Sequence, residues 1–146
     1  MIVLKVEKIK KFMAKLVTGE MFDKFHVTGC EITTFVTIRI DGKRCDEWFD
    51  TDEKPTDTSS QVVWKQLRPV IYSLIRGKKT PEVLKVDFCH YLGNGDVGSL
   101  RVQYENGELF LFTGYMQKKF SLDKAGQMSW DDNCRNFLEE YGEEQG

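Results

Sequence analysis

Apolar and polar residues alternate most regularly in the last third of the chain, on either side of Asn106-Gly107. This dipeptide favours a two-residue type I′ turn, so it predicts a β-hairpin in which Val102 lies opposite Leu111 and Arg101 lies opposite Phe112. One face of that hairpin carries Leu100, Val102, Tyr104, Leu109 and Leu111, and the other carries Arg101, Gln103, Phe110 and Phe112. Both faces hold large apolar residues, which favours a hairpin covered on both sides. The pattern leaves open whether the helices lie on one face or on both.

Apolar residues at helical spacing predict two helices in the first half of the chain. The first spans residues 7–18, where Ile, Phe, Met and Leu residues recur every three or four positions. The second begins after Ser59 or Ser60, either of which is a suitable N-cap, and it ends at Gly77. Pro69 lies inside this second helix, and we expect it to kink the helix or to split it.

A third helix is predicted near the C-terminus. Ser129 and Asp132 have the spacing of a capping box at its start. Its apolar stripe is formed by Trp130, Cys134, Phe137, Leu138 and Tyr141. The residues that follow, 143–146, are acidic or small, and they predict a disordered acidic tail.

The remaining strands are predicted at residues 2–6, 30–40, 43–49 and 83–92, with 115–122 as one more candidate. Asp41-Gly42 is a second hairpin signal. Its register stays open at this point: a two-residue loop places Trp48 opposite Phe35 on the polar face, and a shift of one residue places Trp48 in the core.

The predicted order of elements is β-α-β-β-α-β-β-β-(β)-α. Because hairpins join neighbouring strands, the sheet is expected to be mostly antiparallel, with five to seven strands, and to be covered by three helices. The fold class is therefore α+β. A chain of 146 residues without internal repeats suits a single domain over 1–146.

Composition and charge narrow the class of protein. The chain is 40% hydrophobic and 30% charged, which is typical of a globular protein, and its net charge of -2 gives no general attraction to nucleic acid or anionic membrane. It contains no apolar run long enough to span a membrane, and we expect no signal peptide, because residues 1–8 lack the charge order and the apolar length of one. Its four cysteines are widely spaced, so we expect reduced core residues and a cytoplasmic location.

Candidate chemistry is sparse. The run 93–98 matches G-x-G-x-x-G, but a strand follows it where a dinucleotide site needs a helix, so we expect a turn-rich connection. Within the acidic stretch 46–57, residues 50–52 begin like a calcium loop, but Pro55 stands where that loop needs glycine and Gln61 stands where it needs glutamate. His90 falls on the apolar face of its strand and is expected to be a hydrogen-bonded core residue. No catalytic motif is present, and no metal site or cofactor is predicted.

Several stretches of the chain resemble one family. They are residues 31–35, 40–42, 49–53, 64–81, 113–114 and 130–132. The chain is similar in them to a domain-of-unknown-function family of small uncharacterised bacterial proteins seen in gut clostridia. Members of that family are longer around residues 92–98. The resemblance implies no activity, ligand or cofactor.

The function stays unknown at this point, and the first hypothesis is a non-catalytic binding or interaction module that forms a homodimer. Its candidate binding residues are Phe35, Trp48, Arg101, Phe110 and Phe112. The alternative is nucleic-acid binding through sheet aromatics and a basic middle segment, with Lys65, Arg68, Arg76, Lys78 and Lys79. The third hypothesis is an enzyme whose site is assembled only in three dimensions.

Overall fold

The computed structural model describes residues 1–52, 59–75 and 80–145. In these residues seven strands form one sheet and three α-helices pack on it. In chain order the elements are β1 (Val3–Val6), α1 (Ile9–Val17), β2 (His26–Thr33), β3 (Thr37–Ile40), α2 (Trp64–Ile75), β4 (Val83–Tyr91), β5 (Val97–Glu105), β6 (Glu108–Met116), α3 (Ala125–Leu138) and β7 (Gly142–Gln145). The strand order is β3-β2-β4-β5-β6-β1-β7, and every pair is antiparallel. The predicted α+β class is confirmed.

The hairpin of β5 and β6 lies near the middle of the sheet and has the predicted register. Asn106 and Gly107 both have positive φ, 55° and 75°, as a type I′ turn requires. Glu105 is therefore paired with Glu108, and Val102 with Leu111. This register determines which side chains point to each face of the sheet.

All three helices lie on one face of the sheet. Phe12 of α1, Trp64 and Ile71 of α2 and Leu138 of α3 belong to one buried cluster. The strands contribute to the same cluster through alternate residues, namely Leu4, Val6, Ile32, Leu84, Val86, Phe88, Leu100, Val102, Leu109 and Leu111. The expectation of a hairpin covered on both sides is wrong, because the described helices bury only the Val102 and Leu111 side.

The predicted strand 30–40 is two strands. A turn at residues 34–36 separates β2 from β3, and Ile32 pairs with Ile38 across it. The predicted strand 43–49 is also wrong: Lys43 makes one isolated bridge to Gln61, and a single 3₁₀ turn follows at Asp46–Trp48. Gly42 accounts for this difference. Its φ is 76°, and its backbone lies against Val27, because a Cβ at residue 42 would be 2.2 Å from the Val27 oxygen. The chain thus passes along β2 instead of folding back on β3.

The helix starts differ from the predicted caps. At α2 the backbone N–H of Val63 donates to Gln66 Oε1 at 3.1 Å, so neither predicted serine provides the cap. Pro69 lies within α2, and the predicted end of that helix at Gly77 lies outside the described residues. At α3 the N–H of Ala125 donates to Asp123 Oδ1, and the helix begins one turn before Ser129. The candidate strand 115–122 reduces to the end of β6 at Met116.

Residues 143–145, which were predicted to belong to a disordered acidic tail, form a strand instead. Together with Gly142 they form β7, an edge strand in which Glu143 lies opposite Lys5 of β1. Arg135 of α3 binds both carboxylate oxygens of Glu144, at 2.9 and 3.0 Å, and so fixes this strand to the helix beside it. Glu144, one of the acidic residues that suggested a solvated tail, is thus the ion-pair partner of Arg135. Gly146 lies outside the described residues.

Candidate functional site

One face of the sheet faces away from the helices, and we call it the open face. It is formed by the alternate residues of the strands that point away from the core. Two adjacent rows cross its centre, and in strand order from β1 to β4 they are Lys5, Phe110, Gln103 and Lys85, and Val3, Phe112, Arg101 and Asp87. The open face thus carries the second set of residues that the hairpin pattern identified.

Two phenylalanines lie side by side on the open face. The ring centroids of Phe110 and Phe112 are 6.3 Å apart, and both side chains are half-buried. The Lys5 ammonium group lies 5.9 Å from the centroid of Phe110, within the range of a cation–π contact. Arg101 is the direct cross-strand neighbour of Phe112. The centre of the open face therefore combines apolar rings with the stems of two cationic side chains.

The charges around these rings are paired with one another. Arg101 donates to both carboxylate oxygens of Asp87, at 2.6 and 3.1 Å, and this hydrogen bonding raises the pKa of Arg101. Further pairs on this face join Lys5 to Glu108 at 3.2 Å, Lys85 to Glu105 at 3.6 Å and Arg39 to Glu31 at 2.8 Å. Cations and anions alternate across the strands, so the open face has no single sign of charge.

The row beyond Arg101 and Phe112 is made of small residues. Ser99 and Gly114 are paired there, and a Cβ on Gly114 would lie 2.3 Å from Ser99 Oγ. A shallow concavity of about 580 Å³ opens over this row, with Arg101 and Phe112 on one side of it. The open face therefore offers an aromatic and charged ridge beside a groove, rather than a flat surface.

The structure brings together three of the five predicted binding residues. Arg101, Phe110 and Phe112 are contiguous, whereas Phe35 is 97% exposed in the turn between β2 and β3. Trp48 is 79% exposed in the 3₁₀ turn, with its ring 5.6 Å from that of Phe49. Neither alternative for Trp48, facing Phe35 or lying in the core, is therefore correct.

Two residues of the open face escaped the sequence reasoning. Asp87 binds Arg101, and Lys5 covers Phe110. The alternation of apolar and polar residues in β4 could have indicated that Asp87 lies on the polar face of that strand. The pairing of β4 with β5 then places Asp87 opposite Arg101. Lys5 had no such signal, because the pairing of β1 with β6 joins segments about a hundred residues apart in the chain.

Two of the five basic residues of the nucleic-acid hypothesis, Lys65 and Arg68, lie in the described part of the chain. Lys65 is exposed on α2. Arg68, by contrast, donates to both oxygens of Asp23 at 2.9 Å, and this hydrogen bonding raises the pKa of Arg68. The other three, Arg76, Lys78 and Lys79, lie outside the described residues. Nothing in the arrangement favours nucleic-acid binding.

The glycine-rich run forms a turn, as expected. Gly95 has a φ of 91° between β4 and β5, and Gly98 is already in β5, where a Cβ would lie 2.4 Å from the Trp130 ring. Close packing under Trp130 accounts for the last glycine of the motif, and β5 takes the place of the helix N-terminus that a phosphate would need.

Three of the cysteines, Cys30, Cys89 and Cys134, are buried thiols and therefore poor nucleophiles. Burial raises the pKa of the Cys30 and Cys134 thiols to about 12, and burial also raises that of Cys89. The expectation of core cysteines is wrong for Cys45, which is exposed. The expectation for His90 is also wrong, because it is an exposed side chain at the end of β4.

Across residues 1–52, 59–75 and 80–145, no group of three or more His, Cys, Asp and Glu side chains is placed to hold a metal ion. Over the same part of the chain, no helix combines the length and the apolar character needed to cross a membrane.

Comparison with known protein families identifies a family to which the chain is similar. The profile of a family described as "Family of unknown function (DUF5721)" matches residues 15–96 and 95–144. No curated protein and no solved structure matches the chain. The match supports the resemblance to an uncharacterised family, while the bacterial, clostridial origin that the resemblance implied stays a prediction. Because the two matched segments cover most of its length, the chain belongs to DUF5721, a family of unknown function.

Proposed function

We propose that this protein is a non-catalytic binding module, and that its open face joins two copies of the chain as a homodimer. The observation that carries the proposal is the pair Phe110 and Phe112, which lies on the face of the sheet opposite all three helices. Large aromatic residues are enriched at the centres of protein interfaces, where they supply much of the binding energy.

The charge pattern favours a second copy as the partner. In a two-fold symmetric interface each residue meets the same surface of the other copy, so a patch of one charge would repel itself. The open face instead pairs Arg101 with Asp87 and Lys5 with Glu108. A copy turned by half a rotation can therefore place acidic groups against basic groups, whereas a polyanion would meet as many carboxylates as cations.

The remaining parts of the proposal concern the chain as a whole. The described elements share one buried cluster, which supports a single domain over residues 1–146. The four cysteines are unpaired in the structure, which supports a reducing, cytoplasmic location. Of the predicted binding residues, Arg101, Phe110 and Phe112 form the proposed interface, and Phe35 and Trp48 lie outside it.

The test is the mass of the protein in solution, measured by light scattering after size exclusion over a range of concentrations. We expect twice the monomer mass at high concentration and the monomer mass on dilution. The variant Phe110→Ser/Phe112→Ser is expected to remain a monomer throughout, because it removes the apolar centre of the interface. Circular dichroism and the melting temperature check that this variant is folded.

The matched control is Phe35→Ser/Trp48→Ser, which removes two exposed aromatic residues elsewhere on the molecule. It is expected to keep the dimer. A wild-type protein that stays monomeric at the highest concentration reached would overturn the proposal, as would a dimer that survives the loss of Phe110 and Phe112.

A further inference from the structure

A cleft opens on the other side of the sheet, where β4 ends beside α3. Its volume is about 270 Å³. One wall is a single face of α3, with Trp130, Cys134 and Phe137 spaced four and three residues apart, and the other wall holds Phe25 and His90. We call this the aromatic cleft.

The walls of the aromatic cleft present ring faces and edges. The His90 imidazole lies parallel to the Trp130 indole, with an angle of 8° and centroids 6.0 Å apart. Phe25 meets His90 edge-on at 6.1 Å and Phe137 at 5.8 Å. Although these rings pack against one another, His90 remains exposed and Phe137 is 39% exposed. A pocket of this kind, apolar with few polar groups, is typical of small-molecule sites.

A second concavity of about 570 Å³ continues from the cleft and shares Phe25, His90 and Phe137 with it. Its charged lining residues are Glu20, Asp23, Lys24 and Lys65. Asp23 is neutralised by the two hydrogen bonds from Arg68. The two lysines then outnumber Glu20, so the mouth of the cleft favours an anion.

The aromatic cleft is built to bind rather than to form a covalent bond. Its thiol, Cys134, is buried in the cleft floor, and burial raises the pKa of this group to about 12. A thiol is a poor nucleophile compared with a thiolate. The polar groups at the rim, His90 and Asn133, are exposed and available to orient a ligand.

We propose that the aromatic cleft binds a small planar aromatic acid, with its ring against the wall formed by Trp130 and Phe137 of α3 and its anionic group toward Lys24 and Lys65. A cavity of roughly 150 Å³ accommodates benzene, so the observed volume suits a ring system of about two fused rings. This site lies on the helix-covered side of the sheet. The proposal therefore does not depend on the open face or on the proposed dimer.

The experiment uses three probes that share an indole ring and differ in charge: indole-3-acetate, 3-methylindole and tryptamine. Each is titrated into the full-length protein while NMR follows the His90 Cε1–H and the Trp130 Nε1–H resonances. We expect all shifts to concentrate at the cleft and the affinity to fall from the anion to the neutral probe to the cation. A difference of about threefold to fivefold per unit of charge is expected from exposed charge contacts.

Variants of the cleft test separately how much the aromatic wall and the two lysines contribute to binding. Lys24→Gln/Lys65→Gln is expected to reduce the preference for the anion to less than about twofold while 3-methylindole binds as before. The control Lys10→Gln/Lys119→Gln removes two exposed lysines outside the cleft and leaves the preference unchanged. His90→Ala removes one ring from the wall and weakens all three probes alike.

Three results would overturn the proposal. The first is that none of the free probes shifts these resonances at millimolar concentration. The cleft would then be a site for an aromatic side chain of another protein instead of a small molecule. The second is that the three probes bind with equal affinity. The third is that the shifts lie on the open face, away from His90 and Trp130.

Discussion

Leu111 and Phe112 are neighbours in β6, yet Leu111 is fully buried under the helices while Phe112 lies half-exposed on the open face. The same contrast runs through the paired strand, where Val102 is buried and Arg101 is bound to Asp87 in contact with solvent. The larger and more apolar residue of the β6 pair is thus the less buried one. Side-chain character therefore does not decide burial here. The register of the sheet and the side on which the helices pack decide it.

The largest effect is expected from truncation on the covered face. Leu111→Ala should lower the free energy of unfolding by about 2–5 kcal/mol, because it leaves a cavity in the core. Phe112→Ala should cost only about 1 kcal/mol, since the ring is only partly removed from water. Urea denaturation at a protein concentration that gives the monomer mass measures both. Equal losses for the two variants would mean that the open face is covered in solution.

A second prediction concerns the packing of α3 on the covered face. Gly98→Ala should lower the free energy of unfolding by about 1–3 kcal/mol, since its Cβ would lie 2.4 Å from the Trp130 ring and α3 must shift. Gly93→Ala is the control, because no atom lies within 4 Å of the added Cβ. Its effect should stay within about 0.5 kcal/mol. A stable Gly98→Ala protein would place α3 away from β5.

The third test targets a buried hydrogen-bond chain on the covered face. The Ile2 backbone N–H donates to Thr113 Oγ1 at 2.8 Å, and Thr113 Oγ1 donates to Asp131 Oδ1 at 2.7 Å. Thr113→Val keeps the shape and removes both bonds, so it should cost about 1–3 kcal/mol in thermal or urea unfolding. Thr28→Val, at an exposed threonine beside the open-face concavity, should change stability by less than about 0.5 kcal/mol.

The smallest effect is expected at the ion pair of the open face. Asp87→Asn should cost at most about 1 kcal/mol, because both partners are solvent-exposed and the attraction is screened. The cost should shrink at high ionic strength. Urea titrations at low and at high salt, at a protein concentration that gives the monomer mass, measure this dependence, and a large loss that salt leaves unchanged would show that Arg101 is buried even in the monomer.

Local signals in the sequence predicted the elements that depend on nearby residues. Asn106-Gly107 gave the register of β5 and β6, and alternation gave β4 nearly to the residue. The same reasoning failed at residues 43–49, where Gly42 packs against Val27, and at residues 143–145, where Arg135 fixes Glu144. Both failures arise from contacts between segments that are distant in the chain.

The site residues show the same difference between local patterns, which the sequence predicted, and distant contacts, which it did not. Phe110, Phe112 and Arg101 were predicted because they alternate with core residues in one hairpin, and the structure places them together. Phe35 and Trp48 were grouped with them as residues of the predicted strands 30–40 and 43–49, but the structure places Phe35 in a turn and Trp48 in a 3₁₀ turn. His90 was misjudged because its position on the apolar face was known, while its position at the open end of β4 beside Trp130 depends on where α3 packs.

The sequence by itself determined the α+β class, the central hairpin and the two sets of side chains that this hairpin presents, because turn chemistry and the two-residue period of a strand act over a few residues. Only the tertiary structure decided that α1, α2 and α3 all cover the Leu111 side, that β7 joins β1, and that the aromatic cleft forms beside His90. Each of these depends on packing between segments far apart in the chain, for which no local residue pattern supplies a signal.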